Sequence, residues 1–173
     1  MPSATEQRLK DWYPHDCESL NGFLHDAILQ QIEFDRERNR LGLNFKIGYP
    51  RMEESAPKRV EIVFQGIEVF LATDVDGIDS SLKANASDFI SRCNGAGIDC
   101  YEAYLKTCDE LIFIYISGHP LWNETGWAQI RFSASVAAWS TEQGPTALPE
   151  LHALAERQWD LWGNKTGPEL SRE

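Results

Sequence analysis

Phe23-Leu24-His25-Asp26-Ala27-Ile28 leads into three alternating stretches that decide the fold: Ile28, Ile32 and Phe34, with Gln30 interrupting; Leu41, Leu43, Phe45 and Ile47; then Val60, Ile62 and Phe64. Period two marks strands with one face on a core and the other in water. The charged run from Asp35 to Arg40 suits a hairpin tip between the first two. Strands are therefore expected over 26–35, 40–49 and 59–64, with Ile67, Val69 and Leu71 beginning a fourth. The polar segment 50–58, with its two prolines, reads as a loop.

Outward from this stretch the pattern alternates between helix and strand. Residues 5–13 suit a short helix ended by Pro14, with Leu9, Trp12 and Tyr13 toward the core. Asp79-Ser80-Ser81 offers caps to a helix from Leu82 to Cys93, and Asn94-Gly95 a stop. Asp99 with Glu102 has the spacing of a capping box, which predicts a second helix carrying Tyr101, Tyr104, Leu105 and Cys108. Leu111 to Ile116 is apolar on both faces, so it should be a central strand, followed by a loop over Gly118–Gly126. From Trp127 to Trp139 the alternation places Ile130, Phe132, Ala134, Val136 and Ala138 on one face. Pro149 starts a helix to Trp162 with Gly163 at its end, its stripe being Leu148, Leu151, Ala155, Trp159 and Trp162. The expectation is one α+β domain over 1–163: a mainly antiparallel twisted sheet with helices packed on one face, then a flexible tail over 164–173.

Length and charge bound the function. At 173 residues the chain can bury a substantial core without staples. With 27 acidic against 16 basic residues the net charge is −11, which repels nucleic-acid phosphates and leaves room for a basic protein partner. No apolar run reaches the roughly 18 residues of a membrane span. The first residues lack the basic start and apolar run of a secretory signal, so a cytoplasmic location is expected. Cys17, Cys93, Cys100 and Cys108 contain no C-x-x-C pair and should be free and buried in a reducing compartment. A Cys93–Cys100 bridge around Gly95 and Gly97 is the alternative an oxidising setting would allow. His15, His25, His119 and His152 show no i,i+4 pair, and neither metal nor cofactor is expected.

The His25-Asp26-Ala27 box opening a strand, the hairpin after it, and the strand ending in Phe64-Gln65-Gly66-Ile67 resemble a group of small bacterial α+β proteins. That group includes immunity-protein families of polymorphic toxin systems, and the resemblance covers Phe23 to Val69. It implies a protein that acts by binding, with no catalytic residues and a toxin domain as partner. Neighbours on a strand point to opposite faces, so His25 and Asp26 are not expected to form one dyad. Bracing a turn or recognising a surface are the roles left to them.

A rival lies in Val69-Phe70-Leu71-Ala72-Thr73-Asp74-Val75-Asp76-Gly77-Ile78, which resembles the first motif of haloacid-dehalogenase-type phosphatases. The resemblance implies Asp74 as nucleophile and Asp76 as acid/base beside magnesium, with Ser117 in the place of the second motif. Ile78 departs from the motif, no later Lys precedes an acidic metal-binding pair, and too few βα units follow for the parallel sheet. Asp74, Asp76 and Asp79 also lack the remainder of an EF-hand loop. Binding is therefore favoured over phosphatase chemistry, with a structural or regulatory accessory role as the third reading. The partner-binding candidates are His25, Asp26, Glu61, Glu68, Asp74, Asp76, Asp79 and the loop residue Trp122, whereas Trp127 and Trp139 are assigned to the core.

Overall fold

Among the described residues strands outnumber helices, and every strand pairing is antiparallel. In a computed structural model of the protein, residues 3–12, 17–47, 56–73, 79–81, 86–123 and 126–170 are described; the side chains of 79–81, 86 and 161–170 are not. The strands are β1 (Glu18–Ser19), β2 (Ile28–Asp35), β3 (Arg40–Lys46), β4 (Arg59–Gln65), β5 (Phe70–Thr73) and β6 (Asp79–Ser81), then β7 (Ile98–Cys108), β8 (Leu111–Pro120), β9 (Ala128–Ala134), β10 (Val136–Thr141) and β11 (Gly144–Thr146). The helices are α1 (Ala4–Asp11), α2 (Asn21–Leu24), α3 (Ala86–Ala96) and α4 (Leu148–Leu170). The sheet order is β11-β10-β4-β3-β2-β7-β8-β9-β5-β6, with β1 beside β7. The expected α+β class with a large antiparallel sheet is thus the observed one.

The order hides a closure. β4 runs into β5 through Gly66–Val69, and β9 runs into β10 through Ser135 alone. β4 pairs with β10 and β5 with β9. Bonds from Ser135 N–H to Gln65 O (2.9 Å) and from Ser133 N–H to Val69 O (3.0 Å) join the two ladders into one. The sheet therefore curls back on itself, and its two bent strands close the ring β2, β3, β4–β5, β10–β9, β8, β7. Gly66 makes the bend possible: its φ is +71°, and a Cβ there would meet the Ser135 side chain.

Inside the ring lies the main core, with Leu43, Phe45, Ile62, Phe64, Ile114, Ile116, Ile130 and Phe132 all buried. Phe64 and Phe132 meet edge to face across it at 4.7 Å. β2 and β7 pair only at Ile28↔Asp99 and Leu29↔Ile98 before they diverge. α3 covers the free edge of β2: Asn94 accepts from Ile32 N–H (2.6 Å) and donates to Ile32 O (3.1 Å), as a neighbouring strand would. Phe23 and Leu24 of α2 and Leu151 and Ala155 of α4 join the same core.

α1 lies on the outer face of β8 and β9. Leu9 and Trp12 pack there on Phe113 and Tyr115, separately from the main core. Arg131 donates to the carbonyls of Leu9 (3.2 Å), Lys10 (3.2 Å) and Trp12 (2.6 Å), while its guanidinium sits 5.0 Å from the Tyr115 ring. A cation thus caps the negative end of α1.

Several local expectations are corrected. A bulge between Leu29 and Gln31 shifts the phase of β2, so Leu29 and Ile32, rather than Ile28 and Ile32, are the fully buried pair. Residues 98–108 form β7 instead of a helix, and β8 continues to Pro120 where a loop was expected. Asp79-Ser80-Ser81 is β6, and the helix after it spans Ala86–Ala96; 82–85 lie outside the described residues. The bend at Ser135 reverses the faces of the last alternation: Val136 is 54% exposed, and Ala137 and Trp139 pack on the core. α4 continues past Gly163 to Leu170. No helix among the described residues is long and apolar enough to cross a membrane.

Candidate functional site

The His25-Asp26 box sits in a turn between α2 and β2, not on a strand. His25 closes α2, its N–H donating to Asn21 O at 3.1 Å. Asp26 then adopts φ +64°, a left-handed conformation that Asp tolerates better than most residues. Its N–H donates to Cys100 O (2.9 Å), and Cys100 N–H donates to Ala27 O (2.8 Å), which fastens the turn to β7. The two side chains lie on the same side, with His25 Nε2 3.6 Å from Asp26 Oδ1. This corrects the expectation that they diverge; at that distance they are neighbours without a hydrogen bond. His25 Nδ1 is 2.9 Å from Tyr101 O, so Nδ1 carries the proton that it donates to the carbonyl.

At Tyr101 the β7–β8 register slips by one residue, between Cys100↔Gly118 and Glu102↔Ser117. The slip leaves Tyr101 as the extra residue of a bulge and turns its ring outward. Gly118 permits it. A Cβ at 118 would strike the Asp99 carbonyl oxygen and come within 2.9 Å of Cys100 Cα. Trp127, one residue before β9, stands beside the bulge.

The result is an aromatic row on the surface. His25 meets Tyr101 edge to face at 5.3 Å, and Tyr101 meets Trp127 in the same way at 5.7 Å. Tyr101 is 56% exposed and Trp127 47% exposed. Large apolar rings held open to water in contact with one another mark an interaction surface more than single exposed hydrophobics do. Sequence reasoning missed both residues, placing Tyr101 on a helix and Trp127 in the core. One signal was readable: Gly118 follows an unbroken apolar strand, and a glycine there marks a bulge or a close backbone approach.

The other candidates scatter. Trp122 is half-buried and packs its ring on Phe89 at 5.7 Å, so it caps the core. Glu61 is half-buried on the outer side of β4, opposite Asn44 and Ser140, and Glu68 is exposed in the bend after β4. Asp74 and Asp76 lie outside the described residues; the backbone of Asp79 pairs with Thr73 in β6. β5, which leads into Asp74, is antiparallel to both its neighbours, unlike the strand that carries a phosphatase nucleophile in a parallel sheet. Ser117 is fully buried, its hydroxyl without a hydrogen-bond partner among the described residues.

Cys93 and Cys100 are buried, and Cys17 and Cys108 half-buried. Burial pushes the Cys93 and Cys100 thiols up to about 12, keeping both protonated. Arg8 donates to Cys108 Sγ at 2.8 Å. Among the described residues no group of three His, Cys, Asp or Glu side chains is arranged to hold a metal ion. Among the described residues, an open cavity of 460 Å³ lies beside Cys17, Glu18 and Lys106 and another of 310 Å³ beside Pro57, Gly144 and Glu150; the aromatic row lines neither of these. Comparison with known proteins finds no matching family model, no matching curated protein and no matching solved structure.

Proposed function

We propose that this chain is a non-enzymatic cytoplasmic binding protein that neutralises a basic protein, in the manner of an immunity protein, through the His25–Tyr101–Trp127 row. The observation that carries the reading is the row itself. Two aromatic rings are held half open to water by a backbone bulge and by a turn fastened to β7 through backbone hydrogen bonds. Tyr and Trp are the residues that most often dominate binding energy, and rings fixed in place lose little entropy on binding. The net charge of −11 suits a basic partner and favours fast encounter that slows as salt rises.

The reading predicts a toxin gene next to this one, and co-expression with that toxin tests it. The parent should protect growth, and a Tyr101→Ala, Trp127→Ala variant that folds normally should not. Equal protection by both would remove the row from the function. Reversing Asp74, Asp76 and Asp79 to Lys should slow association at low salt, while identical association rates would take those acids out of partner steering.

A further inference from the structure

We infer that the His25–Tyr101–Trp127 row, with the Asp26 carboxylate beside it, receives an arginine side chain presented by the protein partner. The inference rests on the binding reading above and names the chemistry of its central contact. Edge-to-face packing uses the edge of one ring against the face of the next, and the exposure of Tyr101 and Trp127 shows that ring surface remains open to solvent. An open aromatic face attracts a cation through its quadrupole, and a planar guanidinium can lie flat on it.

Charge points the same way. The segments that build the row, 21–27, 97–103 and 126–129, carry Asp26, Asp99 and Glu102 and not one Lys or Arg. Along β9 the first cation is Arg131, and its guanidinium is already held by the carbonyls at the end of α1. The Asp26 carboxylate is 58% exposed and is set beside the His25 ring by its left-handed backbone. It can thus accept the fork of a guanidinium that stacks on the rings. An uncharged apolar partner would leave this carboxylate unpaired at the contact, which disfavours it.

The test titrates the full chain with the tripeptide Gly-Arg-Gly and its neutral isostere Gly-citrulline-Gly, following the Trp127 indole N–H by NMR, assigned with Trp127→Phe. The arginine peptide should bind about fivefold tighter than the citrulline peptide, the ratio that about 1 kcal/mol of cation–π attraction gives. That preference should shrink both in Tyr101→Leu, which keeps the apolar bulk, and in Asp26→Asn. Equal affinity for the two peptides in the parent overturns the inference. So does a preference that leaves the Trp127 resonance unmoved, an equal preference for Gly-Lys-Gly, or a concentration-dependent dimer that Trp127→Ala abolishes. If the row variants lose protection against the toxin while the peptides show no preference, the binding reading stands and the arginine inference fails. An arginine preference at Trp127 without any toxin protection keeps the inference and removes the immunity reading.

Discussion

Gly118→Ala should be among the most damaging single-methyl additions available in this protein. The new Cβ would strike the Asp99 carbonyl oxygen and stand 2.9 Å from both the Asp99 carbonyl carbon and Cys100 Cα. Those atoms are backbone within the β7–β8 ladder, so no side-chain rotation can relieve the clash. Overpacking a core by a methyl group costs about 1–3 kcal/mol, and a collision with paired backbone belongs at the upper end of that range. Against a total stability of roughly 5–15 kcal/mol, a drop of about 3 kcal/mol is easily measured. Urea titration by circular dichroism should show a clear fall in midpoint with little change in slope. Gly95→Ala is the internal control: nothing lies within 4 Å of its Cβ, it is helical, and it should stabilise by roughly 0.5–1 kcal/mol. Because the same close approach sets the bulge, Gly118→Ala should also move the Tyr101 and Trp127 resonances. Should the variant match the parent within about 0.5 kcal/mol and leave those resonances in place, Gly118 does not govern how the row is presented.

Other outcomes follow from the same geometry. Asn94→Ala strips Ile32 N–H and C=O of their partner and should cost about 1–3 kcal/mol by urea titration; a cost near zero would mean β2 needs no cover at that edge. Cys93 and Cys100 are protonated in the fold with thiols raised to about 12 against an ordinary value of 9, so they should resist a thiol reagent at pH 8 that modifies all four cysteines after unfolding. Their stabilisation is fully present below pH 9 and declines as pH rises toward 12, because only the unfolded thiols ionise there; Cys93→Ala, Cys100→Ala should flatten that decline, and an unchanged slope would contradict the assignment. Purified protein with magnesium should not turn over a phosphate ester, and turnover abolished in Asp74→Asn would instead establish the phosphatase reading.

Strand periodicity was legible in β3 and β4, which carry no bulge of their own. Leu41, Leu43 and Phe45 and Val60, Ile62 and Phe64 are buried as the alternation requires. It failed where a bulge or bend slipped the phase by one residue, at Gln30 and Ser135, because period two inverts completely on a single insertion. The capping-box spacing of Asp99 and Glu102 misled for a related reason: pairing with β8 along the whole of β7 overrides a local helix signal. Closure of the ring was not readable either, since it depends on Ser135 bonding to Gln65, seventy residues earlier in the chain. Of the candidate surface, His25 and Asp26 were legible from their box, while Tyr101 and Trp127 depend on the bulge, a feature of two strands together.

The most direct test of the central claim is the affinity of the cognate toxin for the parent and for Tyr101→Ala, Trp127→Ala, measured by calorimetry on variants whose urea midpoints match the parent. Truncating two central aromatic rings together should weaken binding by about a hundredfold or more. Parent-like affinity in the double variant would contradict the claim that this row is the recognition surface.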